Sequence, residues 1–98
     1  YVQARRALYE ANRMEQLRVG AGGSTLKDRS SATVIRFNRI VSNARAIDLV
    51  ETEEEYVANV QTDPLYPHAW VYGNLIVNDF DNPNGASVNM VHFGSDNN

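Results

Sequence analysis

Residues 69–93, AWVYGNLIVNDFDNPNGASVNMVHF, hold the densest run of strand-forming residues in the chain, and their reading decides the predicted fold. β-branched and aromatic residues dominate 69–79 and 86–93, and such side chains fit a pleated, half-buried surface. Between these runs, Asp81 to Gly85 reads DNPNG, in which Pro83 fixes a turn φ and Gly85 tolerates a positive one. The expected element is an antiparallel hairpin. Trp70, Tyr72, Ile76 and Phe80 alternate with Val71, Leu75 and Val77, so both faces are apolar. The hairpin is therefore expected to be central, or to meet another chain.

Working upstream, Thr33 to Val41 reads TVIRFNRIV and predicts a strand. Thr33, Ile35, Phe37 and Val41 would share one face with Arg39 as the exception, and Val34, Arg36, Asn38 and Ile40 the other. A further short strand is expected over Ala46 to Val50. Thr52-Glu53-Glu54-Glu55 then matches a capping box with acids in the first turn, which predicts a helix from Glu53 to about Val60. Paired strands over 44–50 and 55–61 are the competing reading, because Tyr56, Val57 and Val60 are β-formers. Asp63-Pro64-Leu65-Tyr66-Pro67 is a connector, since each proline removes a donor and restricts its predecessor.

From Val2 to Arg18 helix formers predominate, without glycine or proline, and Ala4, Ala7, Leu8, Ala11 and Met14 form one stripe at helical spacing. Arg5, Tyr9, Arg13 and Gln16 would lie opposite, with Arg6 placed to pair with Glu10 four residues later. The glycines of GAGGST at 20–25 end this helix and open a flexible connection. No internal repeat or heptad is visible. The predicted fold is α+β in a single domain over 1–98, with a helix at 1–19 and a glycine-rich hinge at 20–31. Residues 32–93 are mostly a small antiparallel sheet containing the C-terminal β-hairpin, with a short acidic helix or turn near 52–60, and 94–98 form a fraying tail.

Composition bounds function more than it names it. A chain of 98 residues, 43% apolar and 21% charged, suits one modest core. Cysteine is absent, which excludes disulfides and thiolate metal sites. No apolar run approaches the roughly 20 residues of a membrane helix, so no membrane insertion is expected. The first residue, Tyr1, reads as a processed or trimmed terminus, and the compartment stays open between a soluble protein and part of an extracellular or virion assembly. All nine lysines and arginines lie within the first 45 residues, against three acids there; residues 46–98 hold the other nine acids and no lysine or arginine. Such a split points toward a partner or self-association.

No motif carries a reaction. His68 and His92 are the only imidazoles, and two ligands without a converging carboxylate make no zinc site. Residues 78–85 are oxygen-rich, but Pro83 and Asn84 stand at the fifth and sixth positions, where a calcium loop wants a ligand and a glycine; the turn reading is preferred. GAGGST follows a predicted helix, the wrong order for a phosphate-binding loop. Neither metal nor cofactor nor catalytic residue is expected. The leading expectation is a non-enzymatic structural subunit of a virion, tail or filament-type assembly, partnered by copies of itself or by other subunits. Its basic N-terminal half would meet the acidic C-terminal half of the next copy. The interface candidates are Arg5, Arg6, Tyr9, Arg13, Arg36, Arg39, Glu51, Glu53, Glu54, Glu55, Trp70 and Tyr72. One alternative is a ligand-binding domain or enzyme with a pocket near Tyr66, His68 and Trp70. Another is nucleic-acid binding by the first helix, disfavoured by a net charge of −3 and a pI near 5.2.

Overall fold

A computed structural model describes residues 1–16, 23–78 and 89–96. Among the described residues nine strands fall into three sheets of three strands, and every pairing between them is parallel. The chain runs β1 (Leu8–Glu10), β2 (Arg13–Glu15) and β3 (Ser24–Asp28), then β4 (Thr33–Arg36), β5 (Arg39–Ser42) and β6 (Arg45–Val50), then β7 (Ala69–Tyr72), β8 (Leu75–Asn78) and β9 (Val91–Gly94). The sheets are β1-β4-β7, β2-β5-β8 and β3-β6-β9. Each circuit of the chain thus adds one strand to each of three walls. The architecture is a three-walled parallel β-solenoid of three turns.

This overturns the α+β expectation. Among the described residues there is no N-terminal helix: β1 and β2 occupy that segment and pair with β4 and β5. The expected stripe is not a common face, since Leu8 and Ala11 are exposed while Tyr9, placed opposite, packs inward with Met14. Arg6 (φ 61°) and Ala11 (φ 56°) are left-handed kinks on either side of β1 and reset the two-residue alternation, so the inward residues Tyr9 and Met14 fall five apart. Ladder pairing overrides local helix propensity, which is a weak prior. The Arg6–Glu10 pair does not form; Glu10 pairs with Arg36 and Arg6 with Asp63.

The hairpin and the antiparallel sheet are likewise corrected. β7 and β8 belong to different walls, and β9 pairs parallel with β6. Alternating apolar residues on both faces came from interior and exterior positions of a solenoid wall, which an antiparallel hairpin would share. The DNPNG segment lies outside the described residues, as does the glycine run at 20–22. Of the expected flexible connection, 24–28 is strand β3. TVIRFNRIV is two strands, broken where Phe37 takes φ 57°. That corner is why Arg39 looked like an exception: Thr33 and Ile35 point inward before it, Ile40 and Ser42 after it. The short acidic helix does form, as a 3₁₀ turn at Glu54–Tyr56 continued by α1 (Val57–Val60). Its cap differs, because Thr52 Oγ1 donates to Gln3 instead of closing a capping box.

An internal repeat is present after all. Ala11-Asn12-Arg13-Met14, Phe37-Asn38-Arg39-Ile40 and Gly73-Asn74-Leu75-Ile76 turn the same corner, with the asparagines 26 and then 36 residues apart. Ala11, Phe37 and Gly73 all have positive φ, between 56° and 65°. The asparagines stack into a ladder. Asn12 N and Nδ2 donate to Asn38 Oδ1 at 2.9 and 3.0 Å, and Asn38 N and Nδ2 donate to Asn74 Oδ1 at 3.0 and 2.9 Å. Asn38, only 3% exposed, also donates to the Tyr9 carbonyl, so a buried bend keeps its polar groups paired.

The longer second spacing is the excursion 51–68, which carries α1. It folds back on the first turn. Gln3 Oε1 accepts from Thr52 and Glu53, Asp63 accepts from Arg6 and Ser31, and the Tyr66 hydroxyl accepts from Thr52 N. The interior holds Leu26, Ile35, Ile40, Ala46, Ile47 and Leu49, flanked by Tyr9, Met14, Ala69 and Ile76.

Candidate functional site

Interior tiers differ sharply in cover. Register places Tyr9, Ile35 and Val71 in one tier, Met14, Ile40 and Ile76 in another, and Leu26, Ile47 and Val91 in a third, with Phe93 beside Leu49. In-register residues of parallel strands project to the same side. Ile35, Ile40 and Ile47 of the second turn are 0% exposed, whereas Val71, Val91 and Phe93 of the third are 37%, 44% and 66% exposed. The third turn presents core-type side chains to solvent. A concavity there is lined by Leu49, Pro67, Ala69, Val71, Val91 and Phe93.

The charged candidates are spent largely inside the chain. Arg6 and Arg5 approach the buried Asp63 at 3.1 and 3.9 Å. Arg6, with the Leu65 backbone N–H and the Ser31 hydroxyl, holds the Asp63 carboxyl well below the usual carboxylate range. Arg36 bonds Glu10 and the Tyr72 hydroxyl, and Arg39 and Arg13 share Glu15. Glu53 accepts from Tyr1 and Gln3, and Glu51 from the Asp96 backbone. Glu54 and Glu55 are exposed on the 3₁₀ turn. Arg29, which the nucleic-acid alternative would place on an exposed basic surface, is 6% exposed and donates to the Glu51 carbonyl and to Asp96, under the Tyr1 ring. Lys27 also reaches Asp96, and Lys27 first, then Arg29, draws that carboxyl down, so the expected tail is tethered through Asp96. Basic first half and acidic second half meet within one molecule.

Tyr9 faces inward, and its hydroxyl donates to Asp28 at 2.8 Å; burial and that carboxylate push the phenol well above its ordinary value. Trp70 and Tyr72 stand half-exposed on the outer face of β7, where His68 stacks on Trp70 at 6.0 Å and Phe37 meets Tyr72 edge-on at 5.6 Å. The pocket expected near Tyr66, His68 and Trp70 is realised in part. A cavity of about 270 Å³ at the corner between β9 and β7 is lined by Tyr66, His68, Leu49, Phe93, Thr33 and Asp28, and Trp70 is not among its walls. Asp28, 1% exposed, is fully engaged: it accepts from Tyr9, Thr33 and twice from Ser30.

His92 sits on the outer side of β9, with Nδ1 2.8 Å from Asp48 Oδ1. Burial alone would raise the Asp48 carboxyl, but bonds from His92, Ser24 and Arg45 bring it below its ordinary value. The two histidines therefore do not converge. Among the described residues no group of three or more His, Cys, Asp or Glu is placed to hold a metal ion, and no helix is long and apolar enough to cross a membrane. The oxygen-rich run at 79–85 lies outside the described residues.

Comparison with protein-family models, curated proteins and solved structures finds no match.

Proposed function

We propose that the protein is a non-enzymatic structural subunit that associates end to end. The carrying observation is the uncovered third turn, where Val71, Val91 and Phe93 continue the interior tiers yet remain 37–66% exposed. A solenoid turn cannot bury its inner face alone and needs a neighbouring turn or a polar cap. The strand edges support the same reading, since an unpaired β edge is a template for another chain. Charge takes a smaller part than the sequence suggested. Arg6, Arg36 and Arg39 are partnered inside the chain, so association rests on apolar cover and strand pairing, with the basic first turn and acidic last turn aiding approach.

Absolute mass by light scattering, across protein concentration and from low to about 1 M salt, tests the reading; at 1 M the Debye length is roughly 3 Å. Species above 11.0 kDa that grow with concentration and survive salt are expected. A monomer at every concentration would refute self-association.

A second reading is favoured by the corner cavity. With leucine, phenylalanine and proline walls and His68 and Tyr66 among its lining, it suits a small apolar ligand carrying one polar group. Saturable changes at Phe93 and His68 in NMR titrations with small aromatic alcohols would support it, and unchanged spectra would dismiss it.

A further inference from the structure

We propose that the outer face of the β1-β4-β7 wall binds a neutral glycan, with Trp70 and Tyr72 as its stacking platforms. Register sets two rows on that face. Leu8, Val34 and Trp70 form one and Glu10, Arg36 and Tyr72 the other, both pointing away from the interior tier of Tyr9, Ile35 and Val71. Trp70 and Tyr72 stand two residues apart on one strand and are each 44% exposed, so both project from the same side of β7.

These aromatic side chains are held before any ligand arrives. Arg36 Nε donates to Glu10 Oε1 at 2.8 Å and Arg36 Nη1 to the Tyr72 hydroxyl at 3.0 Å, while Phe37 meets the Tyr72 ring edge-on. Phe37 is itself seated against Gly73, where a Cβ would stand 2.6 Å from its ring carbons. His68 packs beside Trp70 with the two ring planes 29° apart. A surface with its side chains already in place loses little conformational entropy on binding, which a shallow site requires.

Charge selects the class of partner. Glu10 and Arg36 are the charged residues of the two rows, and they pair with each other, so the face carries no net charge. Phosphates or uronates would find no uncompensated cation on it. A protein covering it would desolvate the Glu10–Arg36 pair, and charged residues are depleted from the core of such interfaces. A pyranose differs from both, since its C–H face is apolar and stacks on an aromatic ring while its rim of hydroxyls both donates and accepts. Glu10 Oε2 and Arg36 Nη2 have no partner among the described residues, and their side chains are 42% and 34% exposed, so an acceptor and a donor stand beside Tyr72 for those hydroxyls. β-linked glucose fits this face best. Its equatorial hydroxyls leave the C–H bonds axial on two flat faces, and its chain is a ribbon that can lie along a strand. The face is lateral, so binding there does not depend on end-to-end association.

Trp70 is the sole tryptophan, so intrinsic fluorescence reads the site directly. Titration with cellohexaose, a β-linked glucose hexamer, should shift its emission saturably, alike at low and at about 1 M salt. Hexagalacturonate, an anionic glycan probe, should leave the emission unmoved. Tyr72→Ala, with its fold checked by circular dichroism, should weaken cellohexaose binding about tenfold. Leu75→Ala, exposed on another wall, should leave the affinity unchanged. No saturable shift with cellohexaose, a shift that salt removes, a response confined to hexagalacturonate, or equal affinity in wild type and Tyr72→Ala would each overturn the proposal. Light scattering reads self-association separately, so either idea can fail alone.

Discussion

The second and third turns carry the same corner and the same inward pattern, yet they live in different solvents. Ile35, at 0% exposure, lies between Tyr9 and Val71, while Val71 has Ile35 on one side only and is 37% exposed. In this tier burial therefore follows cover from both sides, and hydrophobicity at a position does not guarantee it. The lesson extends to polar groups: Asn38 is bonded to an asparagine on both sides, whereas among the described residues Asn12 and Asn74 each meet one on a single side.

This contrast can be broken most forcefully in the core. Ile35→Ala should destabilise by about 2–5 kcal/mol through lost burial and a residual cavity. Val71→Ala should cost the dilute monomer well under half of that, and urea unfolding midpoints of the two variants decide it; equal losses would mean the third turn is covered. Asn38→Ala comes next, at about 2–3 kcal/mol, because it strips the Tyr9 carbonyl and Asn74 of buried partners. Asn74→Ala should cost less, since water reaches the open turn.

Acid sharpens the comparison at the tethers. Asp63 and Asp96 have folded-state pKa values below the ordinary 3.8, so the unfolded chain binds protons first as pH falls. Their contribution is complete above about pH 5 and drains away below about pH 4, towards the depressed folded values. Thermal midpoints should hold between pH 7 and 5 and then drop, with a shallower drop in Asp63→Asn; an identical pH slope in that variant would exclude Asp63 from the effect.

The smallest effect concerns the left-handed corners. Ala11→Gly should stabilise by at most about 1 kcal/mol, since glycine removes the Cβ penalty at φ 56° while adding unfolded-state entropy. Gly73→Ala should destabilise, because its Cβ would stand 2.6 Å from the Phe37 ring carbons. Opposite signs from one corner position would confirm that neighbours in the stack, and φ, set its tolerance.

The sequence exposed the strand segments at 33–41, 46–50 and 69–78 and the short acidic helix, because β-branched runs and clustered acids are local signals. Parallel pairing was not local. It joins residues 26 and 36 positions apart on two walls and 21 and 44 apart on the third, and the sequence trace is the small-or-aromatic, Asn, variable, Met-or-Ile corner repeated three times, two of them led by Ala11 and Phe37 where glycine is customary. The unequal spacing, stretched by the excursion 51–68, hid that repeat. Of the site, the apolar character of 69–93 and the cavity walls Tyr66 and His68 were legible. The pairing of Arg29 with Asp96 and of Asp63 with Arg6, which needs segments far apart in sequence, was not. The charge split was visible, but its neutralisation within one chain was a tertiary fact.

Amide hydrogen exchange across a protein-concentration series tests the central claim most directly. The account predicts that β4, β5 and β6 stay strongly protected throughout, while β7, β8 and β9 exchange faster in dilute solution and gain protection as copies stack on the third turn. Protection of β7 to β9 equal to that of β4 to β6 at the lowest concentration would contradict it.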